Sequence, residues 1–166
     1  MNIFALSNSP HESAQMQCDK HVVKMTLETA QILSTVHHIH NSAYTNALYK
    51  PTHRKHPCTL WAAENSANYR WLYDHFTALA TEYEWRYLKR HLSWTKLHAF
   101  LDHIPPLMDI EQDTTPFARA MPAQYKHFDD PVDSYRMYYV VEKAPILQYT
   151  RRDMPRWLVD LKRELQ

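Results

Sequence analysis

Apolar residues recur every three or four positions through most of the chain, and the clearest run lies between Asp19 and Val36. At about 100° per residue, Val22, Val23, Met25, Ala30, Leu33 and Val36 share one broad face of a helix. Lys20, His21, Lys24, Glu28 and Gln31 fall on the other side. One face can therefore be buried while a His, a Lys and a Glu project together from a rigid element. Those types supply a proton shuttle, a cation and a carboxylate base. An ordinary amphipathic helix with a solvated charged stripe has the same pattern. Lys24 four residues before Glu28 is, however, the weaker order for a helix ion pair, so helix stability explains that pair poorly.

The same reading predicts the other elements. Residues 2–6 form a short extended segment or a buried arm. Ser9-Pro10-x-Glu12 is a helix start, with Ser at the cap, Pro at the first position and Glu three after the cap. That helix runs to about Gln17. Asp19 is expected to cap the next, which ends near His38. Residues 39–55 read as a loop. Pro57 opens a helical region to about Arg90, one helix or two with a break near Ser66. Ser93 is expected to cap a helix that ends at Pro105-Pro106. Residues 105–130 read as a long Pro- and Asp-rich surface loop with one turn of helix after Pro116. Asp130-Pro131 starts a helix to about Lys143, and a last helix begins near Pro155 and runs to Leu165.

Composition narrows the fold. The chain has 166 residues and no glycine. Glycine-rich phosphate loops are thereby excluded in their usual form, and glycine-dependent hairpins are disfavoured. The expectation is an all-α fold: a compact, single-domain helical bundle over residues 1–166, with an extended N-terminal arm and a long Pro-rich loop. Net charge is +1 with the histidines neutral, short of the global basic signature of a typical nucleic-acid binder. Cys18 and Cys58 are the only cysteines, too few for a disulfide framework. Met1–Pro10 lacks the basic region and apolar run of a signal peptide, and no stretch approaches membrane-spanning length. A reducing, cytoplasmic setting is expected.

Three groups of residues invite a chemical reading. His37, His38 and His40, and His53, His56 and Cys58, are close enough in sequence to ligate a metal, but the spacings of the established zinc and di-iron motifs are missing. No metal or other cofactor is expected. Local basic clusters occur at Arg54-Lys55-His56, Lys89-Arg90-His91, Arg151-Arg152 with Arg156, and Lys162-Arg163. Each suits phosphate contacts or a solvated surface equally, and aromatic residues beside them suit base stacking. Asn65 and Asn68 lie among apolar residues on the expected central helix. Their amides bond within the core or line a pocket that reads a base edge.

Asp19, His21 and Glu28, with Lys20, Lys24 and Gln31-Ile32-Leu33 around them and His56-Pro57 followed by Trp61, form a familiar pattern. Over roughly residues 1–90 the chain resembles the pyrimidine-dimer DNA glycosylases and their phage and bacterial relatives. Tyr135, Arg136 and Pro155-Arg156-Trp157 are faintly similar to the family's C-terminal part. The resemblance implies a compact all-α enzyme that acts on DNA by attack at C1′ of the sugar. In the phage enzymes the nucleophile is the α-amine of the residue after the initiator Met, and the carboxylate matching Glu28 is essential. Asn2 is bulky enough to block removal of Met1, so the amine here would belong to Met1. The lesion-nicking enzymes place arginines where this chain has Leu27 and Gln31.

These considerations point to a DNA N-glycosylase, with or without AP-lyase activity, that releases a damaged or modified pyrimidine from double-stranded DNA. The candidate catalytic residues are Glu28, His21, Asp19, Lys24 and Met1. The candidate DNA contacts are Lys20, Gln31, Arg54, Lys55, His56, Asn65, Asn68, Arg151 and Arg152. If the reading holds, Glu28 opens into a concave, basic-rimmed pocket with the N-terminus or His21 within bonding reach. A transferase or hydrolase acting on a modified base or nucleotide, and a non-catalytic nucleic-acid-binding module, are the alternatives.

Overall fold

A computed structural model describes residues 1–165 of the chain. It is all-α. The helices are α1 (Pro10–Met16), α2 (Asp19–Ile39), α3 (Pro57–Glu64), α4 (Ser66–Tyr87), α5 (Leu92–Leu101), α6 (Pro131–Glu142) and α7 (Arg156–Glu164), with short 3-10 turns between some of them. Proline opens three of these helices where a side chain also caps them. Ser9 accepts from the Glu12 amide, His56 from Cys58 and Asp130 from Val132. The missing proline N–H is one the first turn leaves unpaired anyway.

α2 packs against α3, α4 and α5, and α1 lies across α4. One hydrophobic core runs from Ile3 to Tyr139, with Met25, Ile32, Leu33, Leu72, Phe76 and Leu79 fully buried at its centre. The N-terminal segment is threaded through this core as a buried arm, residues 2–7. No sheet satisfies its backbone; side chains do so instead. Ser13 Oγ accepts from Leu6 N–H at 3.0 Å and donates to the Phe4 carbonyl at 3.1 Å. Gln17 Nε2 donates to the Ile3 carbonyl at 3.2 Å, and Arg136 Nε to the Leu6 carbonyl at 2.9 Å. Asn2 Oδ1 accepts from the amides of Ile3 and Phe4, a local turn that helps hold Phe4 at φ 44°.

The structure departs from the sequence expectations at identifiable points. Cys18, not Asp19, is the N-cap residue of α2, and Asp19 is its first helical residue. The Asp19 carboxylate is drawn away to Arg86 Nη1 at 3.0 Å and the Thr150 hydroxyl at 2.7 Å. His91, not Ser93, caps α5; Ser93 is buried and bonds Tyr49 at 3.0 Å. The long helical region divides at Asn65, whose extended backbone pairs with Asp109 and whose side chain caps α4. α4 ends at Leu88, which takes the left-handed conformation a glycine usually fills. The Pro-rich loop is tied down by Ser66, Asn68 and Trp61, and it buries Met108, Phe117 and Met121. Its one helical turn comes later than expected, at Ala123–Tyr125. On α2, Val23 is exposed whereas His21 and Glu28 are buried. The arm and α6 cover the sector that the pattern assigned to solvent.

Candidate active site at the N-terminus

Glu28 projects from the middle of α2 toward the start of the chain. Its Oε2 accepts a hydrogen bond from the Asn2 amide at 3.1 Å and lies 3.8 Å from the Met1 α-amine. Its Oε1 lies 3.4 Å from Lys24 Nζ. The carboxylate is nearly enclosed, while Lys24 is two-thirds exposed. The Met1 side chain is packed away, which leaves that residue's remaining exposure on its backbone, where the amine is. The Asn2 side chain fixes the geometry from the far side by donating to the Ala120 carbonyl at 2.7 Å.

Two histidines bracket this group. His21 lies two turns before Glu28 on α2, about 10 Å away along the axis. Its ring stacks on Phe4 with centroids 4.3 Å apart, and its Nδ1 bonds the Tyr139 hydroxyl at 2.9 Å. Burial, with help from Lys143 and Lys24, pushes its pKa down to about 3, so the ring is neutral. His56 spends its Nδ1 as acceptor from the Cys58 amide at 3.2 Å. Burial, and then the cationic N-terminus and His53, lower its pKa as well. Lys143 Nζ sits over the rings of Tyr138 and Phe4, at 4.7 and 5.8 Å. The result is a carboxylate held against an α-amine and beside Lys24, with Phe4, His21, Tyr138 and Lys143 packed together further along the arm.

A family model described as pyrimidine dimer DNA glycosylase matches residues 1–96. The chain belongs to this family. No curated protein and no solved structure matches it. Its activity is therefore of the DNA glycosylase type, with DNA as substrate. The matched region contains the arm, Glu28, His21 and His56. Ala120, which bonds Asn2, and Tyr138, Tyr139 and Lys143, which pack around Phe4 and His21, come from the glycosylase's remaining C-terminal part.

The structure brings Met1, Lys24 and Glu28 together and leaves other expected site residues elsewhere. Asp19 is about 13 Å from Glu28 along α2, committed to Arg86 and Thr150. His21 bonds Tyr139 rather than Glu28. Asn68 is fully buried, with Nδ2 donating to the Trp61 carbonyl and the Thr115 hydroxyl, each at 2.8 Å, and Oδ1 accepting from the Thr115 amide. Asn65 caps α4 and lines a 220 Å³ cavity with Glu64, Asp109, Glu111 and Asp113, an acidic wall that repels phosphate. Both asparagines are committed to holding the Pro-rich loop. Arg152 forms two hydrogen bonds to Glu82, at 2.9 and 2.7 Å, and Arg151 lies over the Trp85 ring. Lys20, Arg54 and Lys55 are exposed, and Gln31 and His56 half-buried; Lys20 and Gln31 lie on the α2 face that carries Lys24.

Five cavities of 170 to 380 Å³ open on the surface, and none of the five is lined by Glu28. The base-sized hollow expected there is absent from that set, because Met1 and Asn2 lie against the carboxylate. Among the described residues no group of three or more His, Cys, Asp or Glu is placed to hold a metal ion, and no helix is long and apolar enough to cross a membrane. Sequence reasoning missed Asn2, Phe4, Tyr138 and Lys143. An Asn at the second position of the arm was the one signal available, since Asn favours turns in which its side chain bonds the following amides.

Proposed function

We propose that this glycosylase releases a damaged or modified pyrimidine from duplex DNA by attack of its α-amine on C1′, with Glu28 as the assisting carboxylate. The 3.8 Å approach of the Met1 amine to Glu28 carries this reading. An amine is a nucleophile that can form a covalent Schiff-base link to a sugar carbon. Its lone pair attacks C1′ while the C1′–N bond breaks and its electron pair leaves with the base, which takes a proton from solvent. Glu28 stabilises the positive charge that grows at the sugar. It then accepts a proton from the new C1′-linked ammonium and passes it to O4′ as the ring opens to an iminium. Elimination from that iminium gives the lyase step.

Lys24 offsets the Glu28 charge and meets a flanking phosphate, and Lys20, Gln31, Arg54, Lys55 and His56 supply further DNA contacts. His21, neutral and bonded to Tyr139, positions Phe4 and the arm. The Asn2 nitrogen is closer to Glu28 than the Met1 nitrogen is. A chain shortened by one residue would thus still present an amine to the carboxylate.

Borohydride reduction during turnover of an ultraviolet-irradiated duplex tests the proposal. The expected product is a covalent protein–DNA adduct on the first residue, located by peptide mass. Base release without any adduct would replace the amine by a water nucleophile. No base release from any damaged or modified duplex would overturn the proposal.

A further inference from the structure

The solvent side of α2 carries two apolar residues where burial gives them no reward: Val23 is 41% and Leu27 39% exposed. The turn between α4 and α5 continues this surface. His91 Nε2 donates to the Val23 carbonyl at 3.2 Å, and the Tyr87 hydroxyl reaches the Asp19 carbonyl at 3.4 Å, so the turn is fastened to the first half of α2. It raises Leu88 to 74% exposure and Leu92 to 61%. Leu88 is held at φ 56° and ψ 31°, a conformation that costs a branched side chain and favours Gly or Asn. Lys89 and Arg90 stand between the two leucines, and Lys96 is one turn beyond Leu92 on the same face of α5. With Lys20 and Lys24 on α2, exposed cations surround the apolar group. The neighbouring acid, Glu84, is loosely paired with Arg90 at 3.7 Å.

Apolar tips within a ring of cations fit an anionic surface with an apolar interior, which describes a duplex whose bases have been parted. On α2, Val23 and Glu28 are about 140° apart around the axis and about 7.5 Å apart along it. The leucine turn and the carboxylate thus flank one exposed stripe, on the order of 10 Å wide. A nucleotide drawn out of the stack travels a comparable distance, and a side chain that fills its place holds the kink open.

We infer that Leu88 and Leu92 form an apolar wedge that enters the duplex beside the nucleotide delivered to Glu28, with Lys20, Lys89, Arg90 and Lys96 on the flanking phosphates. This inference rests on the glycosylase reading of the Glu28 site. The probe is a duplex that contains a tetrahydrofuran abasic analogue next to 2-aminopurine, titrated with the full chain. The wild-type protein raises 2-aminopurine fluorescence as that base unstacks. Leu88→Ala with Leu92→Ala removes the rise and weakens binding about tenfold. The slope of log K against log salt is unchanged, since no phosphate contact is lost. Leu88→Gly, which suits the left-handed backbone, also diminishes the rise while its thermal midpoint is kept or increased, so misfolding does not explain the effect.

Retention of the fluorescence rise and the affinity in the double variant overturns the wedge. A dimer in sedimentation that the double variant dissolves would give the patch to a second copy and overturn it equally. Base release by the wild type without a fluorescence rise sinks the wedge and leaves the glycosylase reading standing; a rise without base release does the reverse.

Discussion

The Asn2 amide donates to Glu28 Oε2 at 3.1 Å, so the second residue of the chain is bonded directly to the carboxylate at the middle of α2. A chain terminus is ordinarily among the least ordered parts of a protein. Here residues 2–7 are buried and their polar groups are met by Ser13, Gln17, Arg136 and Glu28. On the proposed mechanism, such anchoring would orient the α-amine before substrate arrives and lower the entropic cost of its approach.

Glu28→Gln separates chemistry from architecture. The amide oxygen of Gln can still accept from Asn2, so the arm stays in place and the fold is kept. What is lost is the negative charge and the proton acceptor. Base release is expected to fall by about 10²–10⁴, while affinity for an abasic-analogue duplex changes little. Chromatography of released base and a binding titration measure the two separately. Activity equal to wild type would remove Glu28 from the mechanism.

The basic clusters make opposite predictions. Arg54 and Lys55 are exposed and form no ion pair among the described residues, whereas Arg152 is spent on Glu82. Arg54→Ala and Lys55→Ala should each reduce the slope of log K against log salt for duplex binding by about one. Arg152→Ala should leave the slope alone and lower the thermal midpoint. A slope change for Arg152→Ala would return that residue to the DNA interface.

How far the sequence spoke depended on how far apart the partners lie. Ser9-Pro10 and Asp130-Pro131 announced their helices because cap and first turn are neighbours, and the Asp19-to-Glu28 spacing exposed the carboxylate. Asp19 was misjudged as a cap because its true partner, Arg86, is 67 residues away. Asn68 looked equally suited to a base edge and to the core until Thr115, 47 residues on, took its amide. Lys143 and Tyr138 gave no local sign of packing on Phe4 of the arm. Leu88 could not be foreseen as a helix end, because the usual residue for that backbone is missing from the whole chain.

Arg86 is the clearest stability test. Its side chain is fully buried and donates to Asp19 at 3.0 Å, to Glu82 at 2.8 Å and to the Gln15 carbonyl at 3.1 Å. One guanidinium thus joins α1, α2 and α4. Replacing it by Met keeps the volume but leaves Glu82 with Arg152 alone and Asp19 without its cation. Breaking a buried pair from one side costs about 3–5 kcal/mol, and Arg86→Met is expected near that range in urea unfolding. A loss within experimental error would mean that Arg152 and Thr150 compensate the carboxylates by themselves.

Buried histidines set the pH dependence of stability. Burial, ahead of any charge, lowers the pKa of His21 to about 3 and those of His37 and His75 to about 4. In the unfolded chain each titrates near 6.5. Between those values the unfolded state binds more protons than the folded one. The stability these rings confer is therefore complete above about pH 6.5 and is lost progressively as the pH falls toward 4, and for His21 toward 3. Each ring contributes a slope of about 1.4 kcal/mol per pH unit within its window. His75 shows why a proton is refused. Its Nδ1 faces the Pro10 carbonyl at 3.0 Å and its Nε2 accepts from the Gln17 amide at 3.2 Å, so the neutral ring is fully bonded in a site where burial disfavours charge. Urea midpoints should fall from pH 7.5 to pH 5, a range in which most carboxylates stay ionised. His75→Gln, less stable at pH 7.5, should show a slope shallower by about one proton. A wild-type midpoint that is flat across this range would mean that these rings are solvated or charged in the folded protein, and the arm that rests on His21 and His75 would then be held by something other than neutral imidazoles.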